Sequence, residues 1–270
     1  MVIQLKWEEI HMFKMINWKK EELVLSVDFP KDFQENKQYK GIIICHGLIG
    51  SRVGVDRLFV KTGQRLTKEN YIVFRFDYSG CGESSGIYGN YSMPELIEQT
   101  QVMIDYAAAL PYVEEVILLG HSLGGATALL TANTDPRIQK LIQWAAVSNP
   151  YQELTRIFGE DYVETLNHLP SIDFNGYYFS SYYFHQMKKF HPLEEAAAFK
   201  GDVLLIHGTA DDDIAYEGLE KYKKSYLQRA YGSVETYTIN HANHTFSNGE
   251  HYQQLIDKTC EWLQKVNSDY

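Results

Sequence analysis

The sequence predicts a mostly parallel β-sheet covered by helices on both faces. Three observations carry that expectation. Short apolar runs alternate with longer helical patterns along most of the chain. Glycine, small and polar residues collect just after those runs, at the strand ends where open parallel sheets bind ligands. One aromatic-rich segment, 150–190, interrupts the alternation and reads as an insertion.

The elements follow in order. "ELVLSVDF" alternates as an antiparallel strand does. "GIIIC" runs into "HGLIG", and "YIVFRF" into "DYSGCGESSG". "VILLG" leads to Ser122, "LIQWAAV" to "SNP", "VLLIHG" to "TADDD", and "VETYTI" to "NHANH". Helical patterns lie between them, over 55–68, 94–110, 123–133, 216–230 and 251–266. Pro94 suits a helix start, where its missing N–H costs nothing. The segment 150–190 has no strand pattern but is dense in Tyr and Phe. It is read as a cap over the sheet edge, the alternative being helices whose aromatics join the main core. The expected organisation is core over 1–149, cap over 150–190 and core again over 191–270.

Composition narrows the classes. A chain of 270 residues, 44% of them hydrophobic, can bury a large core. No run approaches the roughly 18 apolar residues of a membrane helix. "MVIQLKWEEIHMFKMINWKK" carries charge throughout and lacks an apolar targeting core. Cys45, Cys81 and Cys260 are too few and scattered for a disulfide framework or a zinc site. A cytoplasmic protein with no cofactor and no membrane partner is expected, as monomer or homodimer. A net charge of −10 argues against a nucleic-acid partner.

Chemistry is concentrated at the strand ends. In "GHSLGG", Ser122 follows an apolar strand and precedes the small-residue helix start "LGGATALLTA". A nucleophile elbow needs this arrangement: a sharp strand-to-helix turn lifts the serine clear of the sheet, beside a helix N-terminus that favours negative charge. A serine also needs a base, and the base an orienting acid. "INHANHTF" offers His244 for the base, with His241 second. A metal between these two histidines is not expected, since no third ligand stands out. "HGTADDDIA" offers Asp211 as the acid ahead of Asp212 and Asp213, the last of which suits a helix cap. The order Ser122, Asp211, His244 is that of α/β-hydrolases. Backbone N–H groups of Leu123, after the serine, and Leu48, in "HGLIG", are the candidate oxyanion donors. His46, His121 and His207 are read as holding loops by hydrogen bonds.

Two other classes fit less well. Gly80, Gly82 and Gly86 follow a strand, but their G-x-G-x-x-x-G spacing is not that of a dinucleotide loop, and no P-loop lysine is present. A non-catalytic hydrolase-like receptor would be expected to lack a triad member, and all three residue types are in place.

Taken together, "HGLIG", "FDYSGCGESSG", "GHSLGG", "HGTADDDI" and "NHANHTF" resemble the α/β-hydrolase superfamily over nearly the whole chain. Within it, "FHPLEEAAAFKGDVLLIHGTADDDIAYEG", "NHTFS" and the aromatic insertion are similar to bacterial cinnamoyl (feruloyl) esterases and related small carboxylesterases. The resemblance implies a serine esterase acting on a small-molecule ester, with Ser122, Asp211 and His244 as its triad and Leu48 and Leu123 as oxyanion donors; an aminopeptidase, a monoacylglycerol lipase or a thioesterase would use the same triad, and the residues do not separate these. The resemblance also implies a substrate-binding cap, in which Tyr177, Tyr178 and Tyr182 are candidate contacts. Leu48 and Leu123 stand where cinnamoyl esterases often carry Phe and Gln, a departure that bears on acyl preference and leaves the backbone donors intact.

The acid assignment separates three neighbours. Asp211→Asn should lower kcat by about 10⁴-fold, while Asp212→Asn and Asp213→Asn stay near wild type. Steady-state ester hydrolysis reads the difference, and an inactive Asp212 or Asp213 variant would move the assignment.

Overall fold

A computed structural model describes residues 10–268; residues 1–9, within the stretch read above as free of a targeting core, and residues 269–270 lie outside the described residues. The main sheet has eight strands, ordered β1-β2-β4-β3-β5-β6-β9-β10. β1 (Ile10–Trp18) and β2 (Glu21–Phe29) form an antiparallel hairpin, and β2 pairs antiparallel with β4 (Ile72–Phe76). From β4 onward every pairing is parallel, through β3 (Tyr39–Cys45), β5 (Val113–His121), β6 (Lys140–Trp144), β9 (Asp202–Gly208) and β10 (Val234–Ile239).

The cores of the central strands β3, β4, β5, β6 and β9 are buried on both faces, as parallel strands between helical layers must be. Successive residues of β3 alternate between two clusters. Ile42 and Ile44 face α1 (Leu58–Leu66) and α9 (Gly249–Ser268). Ile43 and Cys45 face the layer of α2 (Met93–Ala108), α3 (Leu123–Thr134) and α8 (Glu217–Tyr226). α3 is buried all round from Leu123 to Ala132, so it is the central helix under the site. The long helices thus lie where the 3.6-residue periodicity puts them. β1 was not foreseen, because its outward residues Phe13 and Met15 are exposed and blur the alternation.

The insertion differs from its expected strand-free form. It contains α4 (Pro150–Phe158), α5 (Glu160–Glu164), an antiparallel hairpin of β7 (Ser171–Phe174) and β8 (Tyr177–Ser180), and α6 (Ser181–Met187). Asn175 and Gly176 join the two strands with φ of 53° and 83°. That pair of positive φ values is what an Asn-Gly hairpin turn supplies, so the sequence did hold a signal for it. Phe158 stacks on Phe174 at 4.1 Å between ring centroids and meets Phe179 and Phe184 edge-on. This aromatic cluster is continuous with the core beneath it, through Tyr88 and Met93. The insertion's buried aromatics are therefore part of the main core cluster. α7 (Pro192–Glu195) then leads back to β9.

Candidate active site

The site begins with backbone strain. Ser122 sits between β5 and α3 at φ 58° and ψ −127°, a conformation that costs a non-glycine residue of order 1–3 kcal/mol. The surrounding backbone leaves it no alternative. A Cβ on Gly120 would meet the Gly124 carbonyl oxygen at 2.2 Å, and one on Gly124 would meet the Cys45 carbonyl oxygen at 2.1 Å. Strand and helix thus approach closely enough to force the turn. The Ser122 N–H donates to the Trp144 carbonyl at 2.9 Å, and its own carbonyl accepts from Gly125 and Val147.

Loops from three other strands meet it. After β3, His46 is buried and uses both ring nitrogens: Nδ1–H donates to the Gly47 carbonyl at 2.8 Å, and Nε2 accepts the Tyr78 N–H at 3.0 Å. Burial holds this imidazole neutral by lowering its pKa. The same loop is anchored by Arg52, whose backbone N–H donates to Asp77 Oδ1 at 2.5 Å and whose guanidinium pairs with Asp77 and Glu83. Leu48 is carried by this anchored turn and lines the cavity that Ser122 faces. Neither the Leu48 N–H nor the Leu123 N–H meets a backbone acceptor among the described residues.

After β9, the Asp211 side chain is closed off from solvent. Its Oδ1 accepts the N–H groups of Asp213 at 3.0 Å and Ile214 at 2.8 Å. Its Oδ2 accepts His244 Nδ1–H at 2.8 Å. Burial alone would raise the carboxyl, but hydrogen bonds from His207 and His244 outweigh it and hold Asp211 well below the usual carboxylate range. His244, after β10, and Ser122 line the same cavity. A second contact fixes the His244 main chain: His121 Nε2–H donates to its carbonyl at 2.8 Å, and the two rings lie 4.7 Å apart at 35°. Burial and the neighbouring His244 pull the His121 pKa down to about 3.

The sequence candidates sort clearly. Ser122, Leu48 and His244 share one cavity, with Asp211 behind His244. His241 is exposed, its N–H donating to Thr209 Oγ1 at 2.8 Å, and it lies outside that cavity. The three tyrosines proposed as substrate contacts require correction, because none lines the cavity. Tyr178 is 60% exposed, Tyr182 turns its hydroxyl to Glu95 at 2.8 Å, and Tyr177 packs edge-on toward Tyr88. The hairpin turns its tip inward instead. Phe174, Asn175 and Ile157 of α4 form the cap side of the cavity, and the Asn-Gly turn was the available signal for the first two. The cavity has a volume of about 310 Å³. A larger one of about 670 Å³ lies between α4, α5 and α6, but it holds neither Ser122 nor His244, so size does not mark the site. No group of three or more potential metal ligands occurs among the described residues. Nor is any of their helices long and apolar enough to cross a membrane.

Comparisons with known proteins agree with this architecture. A family model described as "Serine aminopeptidase, S33" matches residues 36–171, a span that holds Leu48, Ser122 and Leu123 but stops short of Asp211 and His244. Inactive dipeptidyl peptidase 10 of Mus musculus is 27% identical over 207 residues, covering 73% of this chain and 24% of that protein. The chain thus spans about a quarter of the length of that curated relative. Est1E from Butyrivibrio proteoclasticus, solved with ferulic acid bound, superposes with a TM-score of 0.80 at 21% identity, covering 93% of this chain and 98% of its own. Alpha/beta hydrolase domain-containing protein 10 from mouse superposes with a TM-score of 0.76 at 16% identity, over 94% and 99% of the two chains. At these identities the structural likeness speaks to the fold.

The depressed His121 pKa has a consequence for stability. Below about pH 6.5 the unfolded imidazole binds a proton that the folded one refuses down to about pH 3, so stability falls as pH drops through that window. From pH 6.5 to pH 5 the His121 contribution is about 2 kcal/mol. The stability gap between wild type and His121→Gln should therefore narrow by about that amount over this range. Urea midpoints read it, and a gap independent of pH would contradict it.

Proposed function

The chain belongs to the serine aminopeptidase (S33) family, a group of serine hydrolases with the α/β-hydrolase fold, and from that premise we propose that it hydrolyses carboxylic esters through an acyl-enzyme formed on Ser122. The observation that carries this reading is the buried Asp211–His244 pair, whose imidazole opens onto the same cavity as the strained Ser122. Asp211 accepts a hydrogen bond from the Nδ1–H of His244, which leaves Nε2 free to act as a base. Ser122 Oγ attacks the ester carbonyl as His244 Nε2 accepts its proton. The carbonyl oxygen becomes an oxyanion between the N–H groups of Leu48 and Leu123, donors of a kind that contributes several kcal/mol to the transition state. His244 gives the proton to the alcohol as its ester bond breaks, then takes one from water. The hydroxide attacks the acyl carbonyl, and as the bond to Ser122 Oγ breaks His244 returns the proton to Oγ, releasing the acid.

The wall of the cavity bears on the acyl group. Leu48, Ile49, Phe59, Ile157 and Phe174 are apolar, and a volume of about 310 Å³ is at the small end for a ligand site. A compact apolar acyl group suits it. A hydroxycinnamoyl group would bring a phenol that wants a hydrogen-bonding partner, and the cap tyrosines point elsewhere. A peptide reading is favoured by one observation: Asp213 lines the cavity and offers a carboxylate to a substrate ammonium.

One panel separates these substrates, with Ser122→Ala run beside wild type. We expect kcat/KM for p-nitrophenyl butyrate to exceed that for methyl ferulate and for leucine p-nitroanilide, and all activity to vanish in the variant. Preference for the ferulate would return the acyl group to the cinnamoyl class, and preference for the anilide would support the aminopeptidase reading. Activity surviving in Ser122→Ala would overturn the mechanism.

A further inference from the structure

His244 is not the only histidine on the acid. His207, at the end of β9, directs Nε2 at the same carboxylate oxygen, Asp211 Oδ2, at 3.0 Å. It also directs Nε2 at the Ile214 carbonyl, at 3.1 Å. Both neighbours are acceptors, so this nitrogen carries a proton and donates to the two of them. The His207 side chain is 2% exposed.

We propose that His207 is a positioning residue for the hydrolase site, a donor that fixes Asp211 Oδ2 and shares its charge with His244. The proposal rests on the Ser122, Asp211 and His244 reading above. A carboxylate offers about four acceptor positions. Asp211 has four donors: the N–H groups of Asp213 and Ile214 on Oδ1, and the imidazoles of His244 and His207 on Oδ2. The backbone pair alone would leave the carboxylate free to pivot about Oδ1. His207 closes that freedom from the strand side, since it stands on β9, and its link to Ile214 ties down the far end of the loop. A histidine serving only to satisfy itself would need the Ile214 carbonyl and nothing more.

The shared oxygen has an electrostatic consequence. A hydrogen-bond donor on Oδ2 draws off part of the negative charge that would otherwise act wholly on the His244 imidazolium. Without it, the protonated imidazole is favoured and the acid limb of kcat/KM moves to higher pH. The other ionisable groups around the pair are few. His121 of β5 lies against the His244 ring, and Tyr216 meets His207 edge-on at 5.8 Å. Asp212 and Asp213 belong to the acid loop, and Arg156 of α4 bonds their carbonyl oxygens.

The test compares His207→Leu, which removes the donor, with His207→Gln, which keeps an N–H on a similar reach. For p-nitrophenyl butyrate we expect His207→Leu to lower kcat by about 10- to 100-fold with KM little changed. Its acid limb should rise by about half a pH unit, and His207→Gln should recover most of both. Equal behaviour of the two variants, wild-type kcat in His207→Leu, or an unmoved limb would overturn the proposal. A second measurement needs no variant to fold at full activity: in ¹⁵N-histidine-labelled wild type at pH 7, His207 Nε2 should report an attached proton. A proton-free Nε2 would contradict the inference even if Ser122 chemistry stands. Conversely, activity that survives Ser122→Ala would remove the catalytic reading while leaving the His207 proton to be seen.

Discussion

Asp211 is a carboxylate taken out of water, and the site is arranged around the cost of putting it there. An isolated buried carboxylate would protonate rather than bear the desolvation penalty. Here the acid loop turns two of its own N–H groups onto one oxygen, and two imidazoles cover the other. Those bonds more than offset burial and keep the group ionised. An ionised Asp211 in turn fixes which nitrogen of His244 carries the proton, and so which one faces the cavity. The chain of dependence runs from a loop conformation to a charge, and from that charge to a tautomer.

The other half of the site is geometric. β5 and α3 meet at Ser122 with no room for a side chain at Gly120 or Gly124, and the serine is held in a strained conformation by that contact. The facing loop is made rigid by different means. His46 is wired at both ring nitrogens, and Arg52 is clamped by the buried Asp77. Leu48 and Ser122 therefore line one cavity from two independently fixed supports. His121 joins the two halves, standing beside Ser122 in sequence while bonding the His244 main chain. It can do so because burial keeps it neutral, which leaves its ring against His244 without adding charge.

Much of this was legible in the residues because parallel strands put their chemistry at one edge. The runs ending at Ser122, Asp211 and His244 marked three strand ends that the fold brings to one edge of the sheet, with β6 between the first two, and "HGLIG" marked a fourth. What was less legible is informative in physical terms. β1 is an edge strand with apolar residues facing outward, so its pattern does not alternate cleanly. The cap hairpin is four residues a strand, too short for periodicity to register, although Asn175–Gly176 announced its turn. Aromatic density pointed to Tyr177, Tyr178 and Tyr182, yet cavity walls are chosen by direction rather than composition, and the hairpin turns Phe174 and Asn175 inward. His207 and His121 were readable as histidines that hold loops. Which atoms they hold depends on long-range packing that no local pattern encodes.

The account stands most directly on Ser122 being an activated nucleophile. Intact-mass measurement after treatment with a fluorophosphonate tests this without assuming any natural substrate. An activated Ser122 gives a single covalent adduct on wild type, mapped to Ser122 and absent from Ser122→Ala. An unlabelled wild type, or an adduct that persists in Ser122→Ala, would contradict it.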